Sequence, residues 1–262
     1  MGPQGVAGGG EDSRFVGSRR RLIEEIRRKG ITDLEILQLF DRVPRHEFLP
    51  EGVWNRSYED GPVPIGYGQT VSQPFLQAYY LSVLKPRSEE SVLEIGTGSG
   101  YLTALLALMA NRVYSVERVR ELSQRARQTL DAQGFRNVAL LVGDGSIGWR
   151  KYAPFPVVVV SAAAPSVPPA LLDQLADPGR MLIPVGSPDR QELMLVEKEA
   201  GVTRERMVKE ACSFVPLLGR SHGRLRAPER WRQRMFRALA RGAIHCDRNR
   251  LCGVLRVQVR LA

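Results

Sequence analysis

Hydrophobic and polar residues follow a helical spacing in the first third of this chain. Apolar residues at 34, 36, 37, 39 and 40 fall on one side of a helix, and Thr32 and Glu35 have the spacing of a capping box before them. A highly charged helix is predicted before it at residues 18–29. Pro74 suits the first turn of a third helix, which runs to Leu84. Residues 43–50 and 61–70 are rich in proline and glycine. A long segment of this kind is either disordered or functional, and its aromatic residues and proline-stiffened turns favour a functional loop.

From residue 92 onward, short apolar runs alternate with helical segments. This alternation predicts a doubly wound α/β fold, a mostly parallel sheet covered by helices. Predicted strands lie at residues 92–95, 112–117, 138–142, 157–161 and 180–184, and predicted helices at 101–110, 118–133 and 168–176. Three further strands are predicted at 192–198, 203–208 and 212–215. The first two of these form a hairpin about residues 199–201, which gives the sheet an antiparallel carboxyl-terminal edge.

The most specific local pattern is an apolar strand that leads into three alternate glycines. Such glycines let the backbone turn tightly and approach a ligand at the carboxyl edge of a parallel sheet. A dinucleotide-binding loop would need its third glycine at 101, where Tyr101 stands. An acidic residue before the glycines suits a cationic ligand without a pyrophosphate, and S-adenosylmethionine is such a ligand. We expect it to be bound by Glu94, Gly96, Thr97, Gly98, Ser99 and Gly100.

Acidic residues follow the next two predicted strands as well. Glu117 ends one of them about 20 residues past the first glycine, where a carboxylate can accept both ribose hydroxyls. Asp144 and Gly145 follow the other, which puts a side-chain acceptor where the adenine amino group would lie. Taken singly, Glu117 could instead cap the following helix and Asp144 could form a turn. Together, the order and spacing favour three strand ends that line one cofactor.

Composition limits the setting of this fold. The 262 residues can bury a full core, and no apolar run approaches the ~20 residues of a membrane span. The start of the chain has neither a signal peptide nor a myristoylation pattern. The three cysteines Cys212, Cys246 and Cys252 cannot all pair, which favours a reducing compartment. We therefore expect a cytoplasmic protein with no membrane partner.

Several segments resemble one known family, the protein-L-isoaspartate (D-aspartate) O-methyltransferases. The resemblance covers roughly residues 22–217. The most specific segment is 64–74, Pro-Ile-Gly-Tyr-Gly-Gln-Thr-Val-Ser-Gln-Pro, which looks like the substrate-side signature of the family. The glycine motif and the segments 43–48, 143–145, 162–165, 179–186 and 214–217 also match. Two positions depart from the family pattern, Pro156 before the fourth strand and Leu218 after the last matching segment.

The resemblance implies a protein-repair enzyme. The methyl group of S-adenosylmethionine is moved to the free α-carboxylate of an L-isoaspartyl residue in a damaged protein, and the ester then cyclises without an enzyme. The resemblance also implies that Ser72 is the active-site residue, that it orients this carboxylate, and that Thr70 and Val71 lie beside it. Val215 and Pro216 complete the implied substrate contacts. Alternatively, Ser72 caps the helix that begins near Pro74.

The net charge of +10 belongs to the carboxyl-terminal tail. Residues 219–262 hold 12 arginines against Glu229 and Asp247, whereas residues 1–218 hold 26 basic and 26 acidic side chains. We predict a disordered glycine-rich start at 1–17, a methyltransferase domain at 18–218 and an arginine-rich extension at 219–262. Residues 227–240 have the pattern of an amphipathic helix, which can meet acidic partners, nucleic acid or membrane surfaces, and an appended or poorly ordered extension is the alternative.

Three further expectations complete the interpretation. His245, Cys246 and Cys252 lack the spacing of a zinc site, so we predict no metal. We expect a monomer that acts on isoaspartyl-containing proteins and peptides. Two other functions stay open: a methyltransferase for a small-molecule carboxylate or another protein site, because a fold does not fix a substrate, and a nucleic-acid-binding protein that uses the arginine-rich tail.

Overall fold

This computed structural model describes residues 13–187 and 189–219, which contain six α-helices and nine strands. The helices are α1 (Ser13–Arg28), α2 (Leu34–Arg42), α3 (Pro74–Leu84), α4 (Tyr101–Met109), α5 (Arg120–Ala132) and α6 (Pro169–Leu172). The strands are β1 (Val63–Gly66), β2 (Gln69–Val71), β3 (Ser91–Ile95), β4 (Arg112–Glu117), β5 (Val138–Val142), β6 (Phe155–Val160), β7 (Leu175–Ser187), β8 (Arg190–Glu199) and β9 (Val202–Cys212).

Seven of the strands form one sheet in the order β5-β4-β3-β6-β7-β8-β9. Strands β3 to β7 pair in parallel, whereas β8 pairs antiparallel with β7 and with β9. The chain moves outward from β3 to β5 and then returns to the other side of β3 with β6. Doubly wound folds bind ligands beside the carboxyl ends of strands at such a reversal. The predicted fold class, with its antiparallel edge, is confirmed.

The central strands of this sheet are buried on both faces. Residues 157–160 of β6 have no exposed surface, and α4 buries every residue from 101 to 108. Continuous apolar strands of this kind are typical of a parallel sheet that helices cover on both sides. One hydrophobic cluster includes residues of α1 to α5 and of the β1–β2 pair, and a second cluster includes α6. The central strands, whose carboxyl ends carry the predicted cofactor residues, are therefore part of a closely packed core.

Two features near the amino terminus differ from the prediction. Helix α1 begins at Ser13, so residues 13–17 belong to a helix and not to the predicted disordered start. Helix α2 is capped by Asp33 rather than by Thr32, because the Asp33 carboxylate accepts the N–H groups of Glu35 and Ile36. A side chain one residue closer to the helix thus satisfies the unpaired donors of the first turn.

In the second half of the chain, one predicted helix is shorter than expected and one predicted strand is missing from the described residues. Helix α6 has four residues in place of the predicted 168–176, because Leu175 already begins β7. The predicted strand at 212–215 does not form, since Cys212 is the last residue of β9. The following segment instead runs beside the end of β6, where Pro216 forms an isolated parallel bridge with Ala163.

Pro156 lies inside β6, one residue before the predicted start of that strand at residue 157. Its position is tolerated because the ladder between β6 and β7 is irregular there: Phe155 pairs with Leu175 and Val157 already pairs with Arg180. The ladder with β3 begins only at Val157. Proline has no N–H to donate, so it fits where pairing is interrupted. This departure from the family pattern leaves the strand end near the site in place.

The proline- and glycine-rich stretch folds into short 3-10 turns followed by the β1–β2 hairpin. The tip residue Tyr67 has a positive φ of 55°. Arg125 of α5 holds this hairpin, because its Nη2 donates to the carbonyl of Ile65 at 2.6 Å and its guanidinium lies 5.7 Å from the centre of the Tyr67 ring. The predicted functional loop is therefore an ordered hairpin that is fastened to the sheet domain.

Some predictions lie outside the described residues. They concern residues 1–12, the helical pattern at 227–240, and His245, Cys246 and Cys252. Across residues 13–187 and 189–219, no helix is both long and apolar enough to cross a membrane.

Candidate functional site

The loop between β3 and α4 is shaped by glycines. Gly96 and Gly100 have φ angles of +96° and +86°, which glycine adopts readily and other residues do not. A Cβ at Gly100 would also lie 3.1 Å from the Cβ of Ala126 in α5. The N–H of Gly96 donates to the carbonyl of Val116 at 2.8 Å. The loop therefore begins between the carboxyl ends of β3 and β4.

Glu94 lies in β3 with no exposed surface, and one of its carboxylate oxygens is held by two hydroxyl groups. Its Oε2 accepts hydrogen bonds from Thr103 at 2.6 Å and from Ser115 at 2.7 Å. The Ser115 hydroxyl also lies 2.5 Å from the Oγ1 of Thr97, so the hydroxyl of this loop residue is engaged inside the domain. Thr103 and Ser115 are not part of the glycine motif. Their signal in the sequence is a lone hydroxyl within an apolar helix and an apolar strand.

The second carboxylate oxygen of Glu94 is different. Its Oε1 is buried and has no hydrogen-bond partner among the described residues. Burial raises the pKa of Glu94 to about 7, the hydrogen bonds from Thr103 and Ser115 oppose this, and the charge of Glu117 adds to it. A buried oxygen without a partner is unfavourable unless a donor or a cation meets it. This site therefore fits the cationic cofactor that the sequence predicts.

Glu117 fastens the glycine loop to the end of β4. Its Oε2 accepts the N–H of Gly98 at 2.9 Å, and its Oε1 accepts the N–H of Val119 at 2.8 Å, just before α5. The side chain is 7% exposed. Glu117 does not cap α5 in the predicted alternative sense, since the cap residue is Val119 and no side chain caps the helix, but it does accept the N–H of Val119. Each carboxylate oxygen also has a second lone pair, which leaves capacity for ligand hydroxyl groups.

Asp144 caps the short turn that follows β5. Its Oδ1 accepts hydrogen bonds from the N–H and the hydroxyl of Ser146, at 2.9 and 2.7 Å. The turn-forming alternative for Asp144 is therefore correct. Gly145 approaches β3 closely, since a Cβ on it would lie 2.4 Å from Cγ2 of Ile95. A Cβ on Gly219 would lie 2.1 Å from Oδ1 of Asp144, so the end of the described chain packs against the same turn.

Ser72 lies between β2 and α3 and is half-buried. It does not cap α3: the Asp60 carboxylate accepts the N–H of Phe75 at 2.7 Å, and no cap comes from the residue before Pro74. In the described part of the chain, the Ser72 hydroxyl makes no hydrogen bond, whereas its carbonyl accepts one from Arg45 at 3.0 Å. The capping alternative is wrong, and the hydroxyl is available to a ligand.

The other predicted substrate residues lie on two segments beside the strand ends. Thr70 and Val71 belong to β2 and pair with Pro64 and Val63. The carbonyl of Val215 accepts the N–H of Ala163 at 2.8 Å, and Pro216 bridges to the same residue. Thr70 and Val71 therefore lie in the β1–β2 hairpin. Val215 and Pro216 lie beside the end of β6.

A cavity of about 240 Å³ opens beside the glycine loop, and its lining includes Gly98, Ser99, Phe48 and Ile65. A larger cavity of about 610 Å³ lies between α1 and residues 54–59, and none of the predicted site residues lines it. The smaller cavity is the one that borders the predicted cofactor loop. Within the residues described here, no three His, Cys, Asp or Glu side chains are grouped to hold a metal ion, and the prediction of no metal stays a prediction.

Comparison with known proteins identifies the family. The sequence profile of the family described as protein-L-isoaspartate(D-aspartate) O-methyltransferase matches residues 17–222. A protein-L-isoaspartate O-methyltransferase of Trichlorobacter lovleyi is 44% identical over 203 residues, which cover 77% of this chain and 94% of the relative. A protein-L-isoaspartate O-methyltransferase 2 of Syntrophobacter fumaroxidans is 45% identical over 227 residues, which cover 82% and 92%.

Solved structures agree with the sequence comparison. A structure named protein-L-isoaspartate O-methyltransferase superposes with a TM-score of 0.70 at 28% identity, covering 78% of this chain and 67% of its own. A putative enzyme of that name from Plasmodium falciparum, in complex with S-adenosyl-L-homocysteine, gives a TM-score of 0.68 at 26% identity and covers 76% and 97%. Because the profile match spans most of the chain and both curated relatives align along nearly their whole length, this chain belongs to the protein-L-isoaspartate(D-aspartate) O-methyltransferase family.

Proposed function

We infer that this chain repairs damaged proteins by transferring the methyl group of S-adenosylmethionine to the free α-carboxylate of L-isoaspartyl residues. The family match over residues 17–222 carries this conclusion. S-adenosylmethionine supplies a methyl group on a sulfonium, which is already an activated electrophile. The chain then has to bind both reactants, align them and exclude water.

The cofactor is held, in this proposal, at the carboxyl ends of β3, β4 and β5. The carboxylate of Glu94 faces its positive charge, and Glu117 accepts its ribose hydroxyls. Asp144 lies at the adenine end. The contacts that support this arrangement are the bond from Gly98 to Glu117, the close approach of Gly145 to β3 and the unpaired Oε1 of Glu94. The full proposed set is Glu94, Gly96, Thr97, Gly98, Ser99, Gly100, Glu117, Asp144 and Gly145.

The substrate side of the proposal centres on Ser72. Its hydroxyl has no partner within the described chain and donates to the isoaspartyl carboxylate, which fixes the direction of the attacking oxygen. Thr70, Val71, Val215 and Pro216 are proposed to border the same carboxylate. A carboxylate with an ordinary pKa of about 4 is ionised at neutral pH, so the nucleophile needs no general base. Neither a metal nor a reactive cysteine takes part in the proposed mechanism.

The function is tested by incubating the purified protein with labelled S-adenosylmethionine and two peptides that differ only in L-isoaspartate or normal aspartate. We expect base-labile label on the isoaspartyl peptide alone. Cofactor binding without transfer to either peptide would contradict the repair function and would leave a methyltransferase for another carboxylate. Monomeric state, cytoplasmic location and the absence of nucleic-acid binding stay predictions.

The pKa of Glu94 gives a prediction about cofactor binding. A cation beside this group favours its ionised form, so affinity rises with pH as Glu94 loses its proton near pH 7. Between pH 6 and pH 8, we expect the dissociation constant of S-adenosylmethionine to fall about tenfold more in the wild type than in a Glu94→Gln variant. Titration calorimetry at several pH values measures this difference. The ammonium group of the ligand titrates equally with both proteins, so parallel pH profiles would contradict the role of Glu94.

A further inference from the structure

Arg45 is a fully buried arginine that belongs to none of the predicted binding sets. It lies in the 3-10 turn Arg45–Phe48 and has no exposed surface. Its Nη1 donates to the side-chain carbonyl of Gln77 in α3 at 2.9 Å, and its Nη2 donates to the main-chain carbonyl of Ser72 at 3.0 Å. Its guanidinium also lies 4.8 Å from the centre of the Tyr101 ring.

The charge of Arg45 has no carboxylate partner at hydrogen-bond distance among residues 13–187 and 189–219. Burial lowers its pKa to about 10, so it remains charged at neutral pH. The groups that act on its charge are Tyr101, Asp60 and Tyr58, and Asp60 is itself bonded to Lys29. The Nε of Arg45 is buried and without a hydrogen-bond partner in the described structure. A buried charge of this kind is weak support for stability, because an apolar side chain of similar size avoids the desolvation cost.

The contacts of Arg45 join the two halves of the proposed site. Tyr101 is the first residue of α4 and directly follows Gly100, the last glycine of the cofactor loop. Ser72 is the residue proposed to orient the substrate. The Ser72 segment, α3 and α4 all contact the guanidinium of Arg45. A guanidinium is rigid and planar and presents its donors in a fixed fork. Arg45 therefore contacts both the Ser72 segment and the residue that follows the glycine loop.

We propose that Arg45 is a positioning residue that holds Ser72 in alignment with the cofactor loop. It acts through the main chain of Ser72 and does not touch the reactants. The neighbouring contacts support this: Asp60 accepts hydrogen bonds from Gln73 and Phe75, whereas the Ser72 carbonyl accepts one from Arg45. In a reaction that depends on alignment, a displacement of about 1 Å can lower the rate about 100-fold. This inference rests on the proposed function.

The test compares wild type with Arg45→Met and Arg45→Lys on the isoaspartyl peptide. We expect kcat/KM to fall about 30-fold in Arg45→Met and about tenfold in Arg45→Lys, since lysine keeps the charge but not the fork. The dissociation constant of S-adenosylhomocysteine should stay within about threefold of wild type, because the proposed cofactor contacts are intact. Loss of cofactor affinity in parallel with activity would overturn the proposal.

Arg180 provides a matched control. It is a half-buried arginine that pairs with Glu90, its Nε and Nη2 donate to the main-chain carbonyls of Leu84 and Lys85, and it lies at the opposite end of α3 from Ser72. Arg180→Met should lower thermal stability while kcat/KM of the folded protein stays within about twofold of wild type. An equal loss of kcat/KM in both variants would show that Arg45 has only a general structural role.

A double variant gives the decisive comparison. If Arg45 acts through Ser72, adding Arg45→Met to Ser72→Ala should lower kcat/KM less than about threefold further, whereas independent effects would multiply. If Arg45→Met does not fold, Gln77→Leu replaces it, with an expected loss of about fivefold because Arg45 then loses one of its two anchors. A full multiplicative loss would overturn the proposal. No methylation of the isoaspartyl peptide by the wild type would instead contradict the proposed function itself.

Discussion

Replacing Ser72 by alanine should lower kcat/KM for an isoaspartyl peptide about 100-fold, which is the loss expected for one donor aimed at a reacting oxygen. The Ser72 hydroxyl makes no hydrogen bond within the described residues, and the first turn of α3 is capped by Asp60. Alanine therefore removes a group that serves the substrate and not the helix. The affinity for S-adenosylhomocysteine and the melting temperature should change little. Steady-state methylation assays and calorimetry measure the three quantities.

Ser82 is a suitable control for this variant. It is also half-buried, lies on α3, and donates its hydroxyl to the carbonyl of Tyr79 at 2.9 Å. Ser82→Ala removes a serine hydroxyl from within α3, the helix that follows Ser72, and its activity should match that of the wild type. If Ser72→Ala retained wild-type activity, the orienting role of Ser72 would be refuted, while membership of the family would stand.

The second large effect is expected at Glu117, where Glu117→Gln should raise the dissociation constant of S-adenosylhomocysteine about 100-fold. Both carboxylate oxygens accept main-chain N–H groups, from Gly98 and from Val119. Glutamine keeps one acceptor but turns an NH₂ group toward a donor, and each lost bond to a charged group is worth about 1.5–3 kcal/mol. Two effects combine, a looser glycine loop and weaker acceptance of the ribose hydroxyls.

Glu121→Gln is the control for this measurement. Glu121 lies in the first turn of α5, four residues after Glu117, and is exposed. Its replacement removes the same charge from the same region, and cofactor affinity should stay within about twofold because exposed charges contribute little. If both variants bound S-adenosylhomocysteine equally well, Glu117 would have no special role. If both bound it equally weakly, net charge would explain the loss.

The fold could be predicted largely from sequence because its signals are local. β4, β5 and α3 have the predicted bounds, since apolar runs and a proline at a helix start mark those limits directly. The predicted cap of α2 is wrong. Thr32 and Asp33 both have suitable side chains, and only the backbone conformation decides which of them caps the helix. The predicted helix at 168–176 is too long, because Leu175 pairs with a neighbouring strand and belongs to β7.

The candidate site could be predicted only in part. Features formed by neighbouring residues in the sequence were predictable, and contacts between residues far apart in the sequence were not. The glycine loop is contiguous, so its turn is visible in the sequence. The contact of Arg45 with Ser72 joins residues 27 positions apart, and the contact of Asp60 with Phe75 joins residues 15 apart. No periodic pattern relates such pairs. The family resemblance indicated that Ser72 is important, but the groups that hold it were visible only in the folded chain.

The outer edge of the sheet bears on how this protein meets damaged chains. Strand β9 is 11 residues long, and its outer side pairs with no other strand among the residues described here. Unpaired edges invite other extended chains to add to a sheet and aggregate, and charged side chains oppose this. β9 carries Arg204, Arg206 and Lys209 along its length, with Glu205 and Glu210 between or beside them. A protein that acts on other polypeptide chains can thus resist adding their strands to its own sheet.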